Sequence, residues 1–188
     1  METFETIKTR ASLKTRISPR NVEPEKVNKI LDAARFAPSA RNLQPWRFIV
    51  INDKKRIETL IKGAFNEGNS VLSAAPVFIV ACAKPSDDLV LEGREYYLHD
   101  VGMAMENMLL AATELGLVTH PVTGLNEKGE AELKRILSIP DEVRFVVATP
   151  VAYPDEGSYE DSAQKRLSDR TRKDLKEIVY LNAWGKPL

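Results

Sequence analysis

The sequence predicts one sheet covered by helices, and three observations point there. Strand-like apolar runs, "RFIVI", "APVFIVACA" and "VRFVVATPVAY", alternate along the chain with amphipathic helical segments. The segment from Arg94 to Leu115 repeats its apolar residues at helical spacing and crowds small residues around much of its remaining circumference, the pattern of a deeply packed central helix. At 188 residues the chain fits a single domain, 1–188, large enough to bury about 70% of its unfolded surface.

The elements follow in order. Phe4, Ile7 and Ala11 suggest a short first helix leading into the basic "KTRASLKTR". Pro24 suits a first helical turn, Val27, Ile30, Leu31 and Ala34 continue on one face, and Pro38 ends that helix. Arg47 to Ile51 reads as a strand, with Asp53 as N-cap of a helix carrying Ile57, Leu60 and Ile61. Asn66 to Ser70 breaks the pattern, and Pro76 starts the next strand. The long helix carries Tyr97, Val101, Ala104, Met105, Met108, Ala112 and Leu115 on one stripe, and Gly116 fits the position that closes it. A short strand and turn in "GLVTHPVTGL", a helix around Ala131 to Leu137 and the strand of "VRFVVATPVAY" complete the sheet. After a polar stretch, "LKEIVYLNAW" is apolar again, which suits packing far from the last strand or on another subunit.

Composition narrows the function. Hydrophobic residues at 43% and charged residues at 29% are ordinary globular values. The 27 basic and 27 acidic residues cancel, which removes the electrostatic case for nucleic acid or an anionic membrane as main partner. One cysteine excludes an internal disulfide, and Cys82 within an apolar strand reads as a packed thiol. One Cys and two His are too few for a structural zinc site. The first residues lack the apolar core of a signal peptide, and no apolar run approaches the ~20 residues of a membrane span, so a soluble, cytoplasmic protein is expected.

Absent motifs matter as much. No P-loop, no dinucleotide-binding glycine fingerprint and no hydrolase nucleophile elbow is present. His99 and His120 read better as a polar helix face and a strand end than as an acid or base. With no obvious acid–base centre, a cofactor is the expected carrier of any chemistry.

Two groups of residues could hold one. Arg10, Ser12 and Lys14, with Arg16 behind them, and Arg170, Arg172 and Lys173 near the other end are either solvated surface charge or two cation clusters converging on a phosphate. The stretch "PSARNLQPW" sets Ser39, Arg41, Asn42 and Gln44 between Pro38 and Pro45, beside Trp46. It is either a well-capped structural loop or a rigid wall whose amides read a ring edge carrying both donors and acceptors, such as a flavin pyrimidine.

Together, "TRASLKTR", "AARFAPSARNLQPWRFIVIND", "SAAPVFIVACA", "YYLHDVGMAMENMLLAATELGL", "THPVTGL" and "RTRKDLKEIVYLNAWG" resemble, in this order and over nearly the whole chain, the FMN-dependent nitroreductase family. The resemblance implies an α+β fold, a three-layer α/β/α sandwich on a central, mostly antiparallel sheet, with the C-terminal segment exchanged across a homodimer and FMN at each subunit interface. It assigns Arg10, Ser12 and Lys14 to the phosphate, ribityl chain and N1/O2 edge of the flavin, and Arg170 and Arg172 to the second basic pair. Pro38, Ser39, Ala40, Asn42 and, more weakly, Gln44 match the loop laid against the flavin by the partner subunit. Asn69 faces the pyrimidine edge, and Pro121, Val122, Thr123 and Gly124 form a turn whose backbone N–H groups at Thr123 and Gly124 approach N5 and O4. The implied activity is ping-pong hydride transfer from NAD(P)H through FMN to an electron-poor acceptor such as a nitroaromatic or quinone, with Lys14, Thr123 and Gly124 as catalytic groups. A flavin-storage module without turnover and reductive dehalogenation are the alternatives. Leu125 stands where many relatives carry an aromatic, and no long insertion lies between Ala83 and Arg94.

Overall fold

A computed structural model describes residues 1–12, 17–155 and 170–188. Contacts divide the chain into two compact units, Met1–Glu156 and Gly157–Leu188. In the first, the strands Trp46–Ile51 (β1) and Val77–Ala83 (β2) pair antiparallel, from Trp46 opposite Ala83 to Ile51 opposite Phe78. A hairpin of Val90–Leu91 (β3) and Arg94–Glu95 (β4) stands apart. Val118–Thr119 (β5) and Arg144–Ala152 (β6) complete a four-stranded sheet of order β1-β2-β6-β5 in which every named pair is antiparallel.

Every residue of β2 is buried, so this strand is covered on both faces. The period-2 alternation of a strand then splits its side chains between two cores. Val77, Ile79 and Ala81 join Ile30, Ala34, Val101, Ala104 and Met108 on one side. Phe78, Val80 and Cys82 join Ile57, Leu60, Ile61 and Leu133 on the other. The helices supplying them are Pro24–Arg35 (α2) with Tyr96–Glu114 (α4) on the first face, and Lys54–Ala64 (α3) with Gly129–Leu137 (α5) on the second. Thr3–Thr9 (α1) lies against α4. This is the expected α+β sandwich of three layers. Burial pushes the Cys82 thiol up to about 12, which fits the packed, inert role.

The local signals act as expected. The Asp53 carboxylate accepts the N–H of Arg56, and Pro24 opens α2. Gly116, at φ +73°, turns the chain out of α4, and the Leu117 N–H returns 2.8 Å to the Ala112 carbonyl.

Two expectations change. Arg94 and Glu95 belong to the hairpin, whose turn residues Glu92 and Gly93 both take positive φ, so α4 starts at Tyr96. Nor is α4 buried all round: Tyr97, Val101, Ala104, Met105, Met108 and Ala112 are inside, whereas Leu98, Gly102 and Met103 are exposed. Among the described residues of this unit, nothing covers that side.

In the second unit, Leu175–Ile178 (α6) carries a capping box between Asp174 and Glu177. Tyr180 pairs with Pro187 and stacks on Trp184 at 4.6 Å between ring centroids. None of its described residues is buried, and Trp184 is 88% exposed.

Among the described residues no helix is long and apolar enough to cross a membrane, and no group of three or more His, Cys, Asp or Glu is placed to hold a metal ion.

Gly129 is where packing leaves least room. A Cβ there would lie 2.3 Å from Leu125 Cβ and 2.7 Å from the Ala64 carbonyl oxygen. Gly129→Ala should therefore cost about 1–3 kcal/mol of overpacking, read as a lower denaturation midpoint. An unchanged midpoint would mean that the α5 start is not held against α3 as described.

Candidate functional site

After β5 the chain stays tied to the sheet while it turns. The His120 N–H donates to Thr149 Oγ1 at 3.1 Å, and Val122 exchanges both backbone hydrogen bonds with Ala148. Pro121 and buried Val122 thus anchor the turn, leaving Thr123 exposed and Gly124 half-buried at its tip. Leu125 pairs with Phe65 at the end of α3, and the Asn66 N–H donates to the Gly124 carbonyl at 3.2 Å. Ser12 comes to the same end of the sheet, bridged in parallel to Thr119.

Two side-chain amides flank this turn. A Cβ on Gly124 would lie 3.1 Å from Asn66 Nδ2 and 3.8 Å from Asn69 Nδ2, so glycine keeps the backbone open where the amides crowd it. Asn69 lies in the 3₁₀ segment Glu67–Ala74 and is only 9% exposed, yet its side-chain amide makes no hydrogen bond to any described residue. Its amide atoms are not themselves sealed from solvent, so the side chain is mostly buried while its donors and acceptor keep an open side. They lie beside an accessible backbone turn.

The second group is the loop after α2. Its backbone is strained: Arg41, Asn42 and Gln44 have φ of +48°, +58° and +51°. Asparagine tolerates this region, but Arg and Gln rarely adopt it, at a cost of order 1–3 kcal/mol each. Hydrogen bonds from outside and within hold the strain. The Ala40 N–H donates 2.8 Å to Asp100 Oδ2 on α4, and the Gln44 N–H donates 3.0 Å to Ser39 Oγ. The Asn42 N–H closes on the Ser39 carbonyl, and Gln44 Nε2 reaches Asn42 Oδ1 at 3.3 Å. Arg47 clamps the far end, donating to the Gln44 and Trp46 carbonyls and to Asp87. Trp46 fills the core, while Ser39, Ala40, Asn42 and Gln44 stay at least partly exposed.

The expected residues therefore fall into separate groups. Ser12, Asn69 and Pro121 to Gly124 gather at one sheet end. Pro38, Ser39, Ala40, Asn42 and Gln44 lie on the loop after α2, tied to α4 through Ala40, and no hydrogen bond or ion pair among the described residues joins the two groups. Arg10 pairs with Glu106 of α4 at 3.4 Å. Lys14 lies outside the described residues. Arg170 and Arg172 belong to the C-terminal unit, where Arg172 Nη1 donates to the Thr171 carbonyl. His99 is exposed and stacks edge-on with Tyr96, as a polar helix face should.

Asp100 and Asn66 were not foreseen. Asp100 could have been: three residues past Tyr97 and four before Ala104, it falls on the buried face of α4, where a carboxylate needs a partner. It is 2% exposed, and burial, reinforced by the Asp88 carboxylate, raises its pKa above the usual Asp range. Both Asp88 oxygens are themselves buried without a hydrogen-bond partner among the described residues.

The profile of the Nitroreductase family matches residues 7–84 and 65–153. The chain belongs to the nitroreductase family. An Archaeoglobus fulgidus protein carrying the names NADH dehydrogenase and NAD(P)H nitroreductase is 34% identical to this nitroreductase-family chain over 176 residues, covering 92% of it and 98% of the relative. A more distant relative, an iodotyrosine deiodinase from Haliscomenobacter hydrossis, is 29% identical, covering 79% and 78%. The fold matches a nitroreductase family protein from Clostridium novyi NT with a TM-score of 0.75 at 34% identity, covering 100% and 97% of the two chains. It also matches a nitroreductase-like protein from Desulfovibrio desulfuricans in complex with FMN, with a TM-score of 0.79 at 25% identity and 98% coverage of both.

The raised pKa of Asp100 has a sign that can be tested. The folded state holds this proton more tightly than the unfolded chain, so stability falls as pH rises from the ordinary Asp range, near about 4, through the raised folded value. Asp100→Asn keeps an acceptor for the Ala40 N–H and removes the titration. Its denaturation midpoint should gain on the unsubstituted protein as pH rises across that window and level off above it. A difference independent of pH would contradict the assignment.

Proposed function

We propose that this nitroreductase-family chain is an FMN-dependent oxidoreductase that carries hydride from NAD(P)H to an electron-poor acceptor, a nitroaromatic or a quinone, in ping-pong order. The observation that carries the reading is the Asn69 amide, which stands beside Gly124 on an otherwise buried side chain and has no hydrogen-bond partner among the described residues. FMN supplies the redox chemistry: when bound, it takes two electrons and a proton from the nicotinamide and passes them to the acceptor. The protein binds and orients. Asn69 meets the pyrimidine edge, and the N–H groups of Thr123 and Gly124 donate to the ring. Arg10, Ser12, Arg170 and Arg172 hold the phosphate and ribityl chain, which requires Arg10 to exchange Glu106 for phosphate. Lys14 places a cation at the pyrimidine edge, where it favours negative charge, so the residues with catalytic roles are Lys14, Thr123 and Gly124.

In this reading the pocket is complete only in a homodimer, and residues 1–188 act as one functional domain. The loop of Pro38, Ser39, Ala40, Asn42 and Gln44 forms a wall for the partner's flavin. Two features support this: the loop and the Gly124 turn rest on different elements, and exposed Leu98, Gly102 and Met103 leave α4 with an uncovered face. The C-terminal unit, with Leu175, Ile178, Leu181 and Trp184 all exposed, is the segment exchanged with the partner. A cytoplasmic setting suits the free thiol and the soluble nicotinamide donor.

The deiodinase relative favours a second reading, reductive dehalogenation, in which two electrons and a proton replace a carbon–halogen bond with carbon–hydrogen and release halide. Halide release from a haloaromatic at the expense of NAD(P)H, with no reduction of nitro compounds, would select it.

Asn69→Ala should weaken FMN binding roughly tenfold or more, the worth of one or two buried hydrogen bonds, in a fluorescence titration. Full affinity in that variant would remove Asn69 from the site. Arg172→Ala should mainly weaken FMN binding, whereas Lys14→Ala should mainly slow flavin reduction by NAD(P)H in stopped flow. Unchanged reduction in Lys14→Ala would overturn its catalytic role.

A further inference from the structure

We infer that Arg41 is a specificity-determining residue that grips an anionic group, a carboxylate or a phosphate, on the molecule bound against the flavin. The inference rests on the FMN reading above and deepens it by naming a substrate chemistry.

Arg41 is exposed at the centre of the 3₁₀ turn Ala40–Asn42, with φ +48° and ψ +23°. Among the described residues it is the one basic residue with left-handed backbone. That conformation suits Gly or Asn, and a long side chain there adds strain that the fold itself does not need. The turn is held by its neighbours: Ala40 by Asp100, Asn42 by Ser39, and Gln44 by Ser39. Nothing in that scaffold uses the Arg41 side chain.

The guanidinium is also unspent. It makes no hydrogen bond or ion pair with any described residue. Arg47, on the same loop, shows the structural alternative, with its donors engaged by Gln44, Trp46 and Asp87. Strained backbone that persists in a rigid loop is typical of ligand clamps. A planar fork of N–H donors on such a support matches the two oxygens of a carboxylate or phosphate, and it does so at a fixed point between Ala40 and Asn42, both on the proposed flavin wall.

The anion has two possible sources, an acidic aromatic acceptor or the 2′-phosphate that NADPH carries and NADH lacks, and the test separates them. The FMN-loaded protein is titrated with benzoate and with benzamide, reading the shift of the flavin visible band. KM is then measured for NADPH and for NADH. Arg41→Asn deletes the cation and relieves the strained backbone, and Arg41→Lys keeps charge without the fork.

The expected result is that Arg41→Asn holds or raises the thermal midpoint while weakening one anionic member of a pair about tenfold or more relative to its less anionic counterpart, with Arg41→Lys between. A change confined to benzoate over benzamide assigns an acidic acceptor, and one confined to NADPH over NADH assigns the donor phosphate. Equal effects on both members of both pairs would overturn the inference and leave the FMN reading standing. Failure of the unsubstituted protein to bind FMN would overturn both.

Discussion

The hydrogen bond from the Ala40 N–H to the buried carboxylate of Asp100 is the constraint on which the site depends. A chain segment with three residues at positive φ relaxes unless something rigid holds it, and α4 is the most thoroughly packed helix of the fold. Its inner face is locked against the sheet by Val101, Ala104, Met105 and Met108, so Asp100 cannot follow the loop outward. Strain in the loop is thus balanced by packing energy stored in the core. The carboxylate itself is costly to bury, and that cost appears as its raised affinity for a proton.

The other half of the site follows a different logic. Gly124 and Asn69 are held by backbone pairing, through Val122 to Ala148 and through Leu125 and Asn66 to the end of α3. Backbone pairing leaves side chains uncommitted, so the Asn69 amide keeps its hydrogen-bonding capacity open. One half offers a strained, polar wall and the other an open backbone with amides beside it. They rest on different elements, which is what the proposed two-chain pocket would use.

The legibility of these features in the sequence differed by physical cause. Elements set by local chemistry were readable: Pro24 opening α2, Asp53 capping α3 and Gly116 closing α4 each act through the residue's own backbone or side chain. The uninterrupted apolar run of β2 likewise announced a buried strand. The hairpin at Val90 to Glu95 was not readable, because two-residue strands carry no periodicity and Glu92 supplies half of the turn against its own preference. Arg41 and Gln44 hid their backbone for the same reason: neither residue favours positive φ, so only the surrounding hydrogen bonds reveal it. The proposed role of the loop at a flavin comes from its likeness to relatives, whereas its anchor, Asp100, required the three-dimensional packing of α4.

The most direct test of the central claim is an anaerobic visible titration of the purified protein, reconstituted with FMN, by NADPH and by NADH. The expected result is a bound flavin band that at least one nucleotide bleaches, followed by recovery of the band when a nitroaromatic or quinone is added. A protein that binds no flavin, or that binds it and is bleached by neither nucleotide, would contradict it.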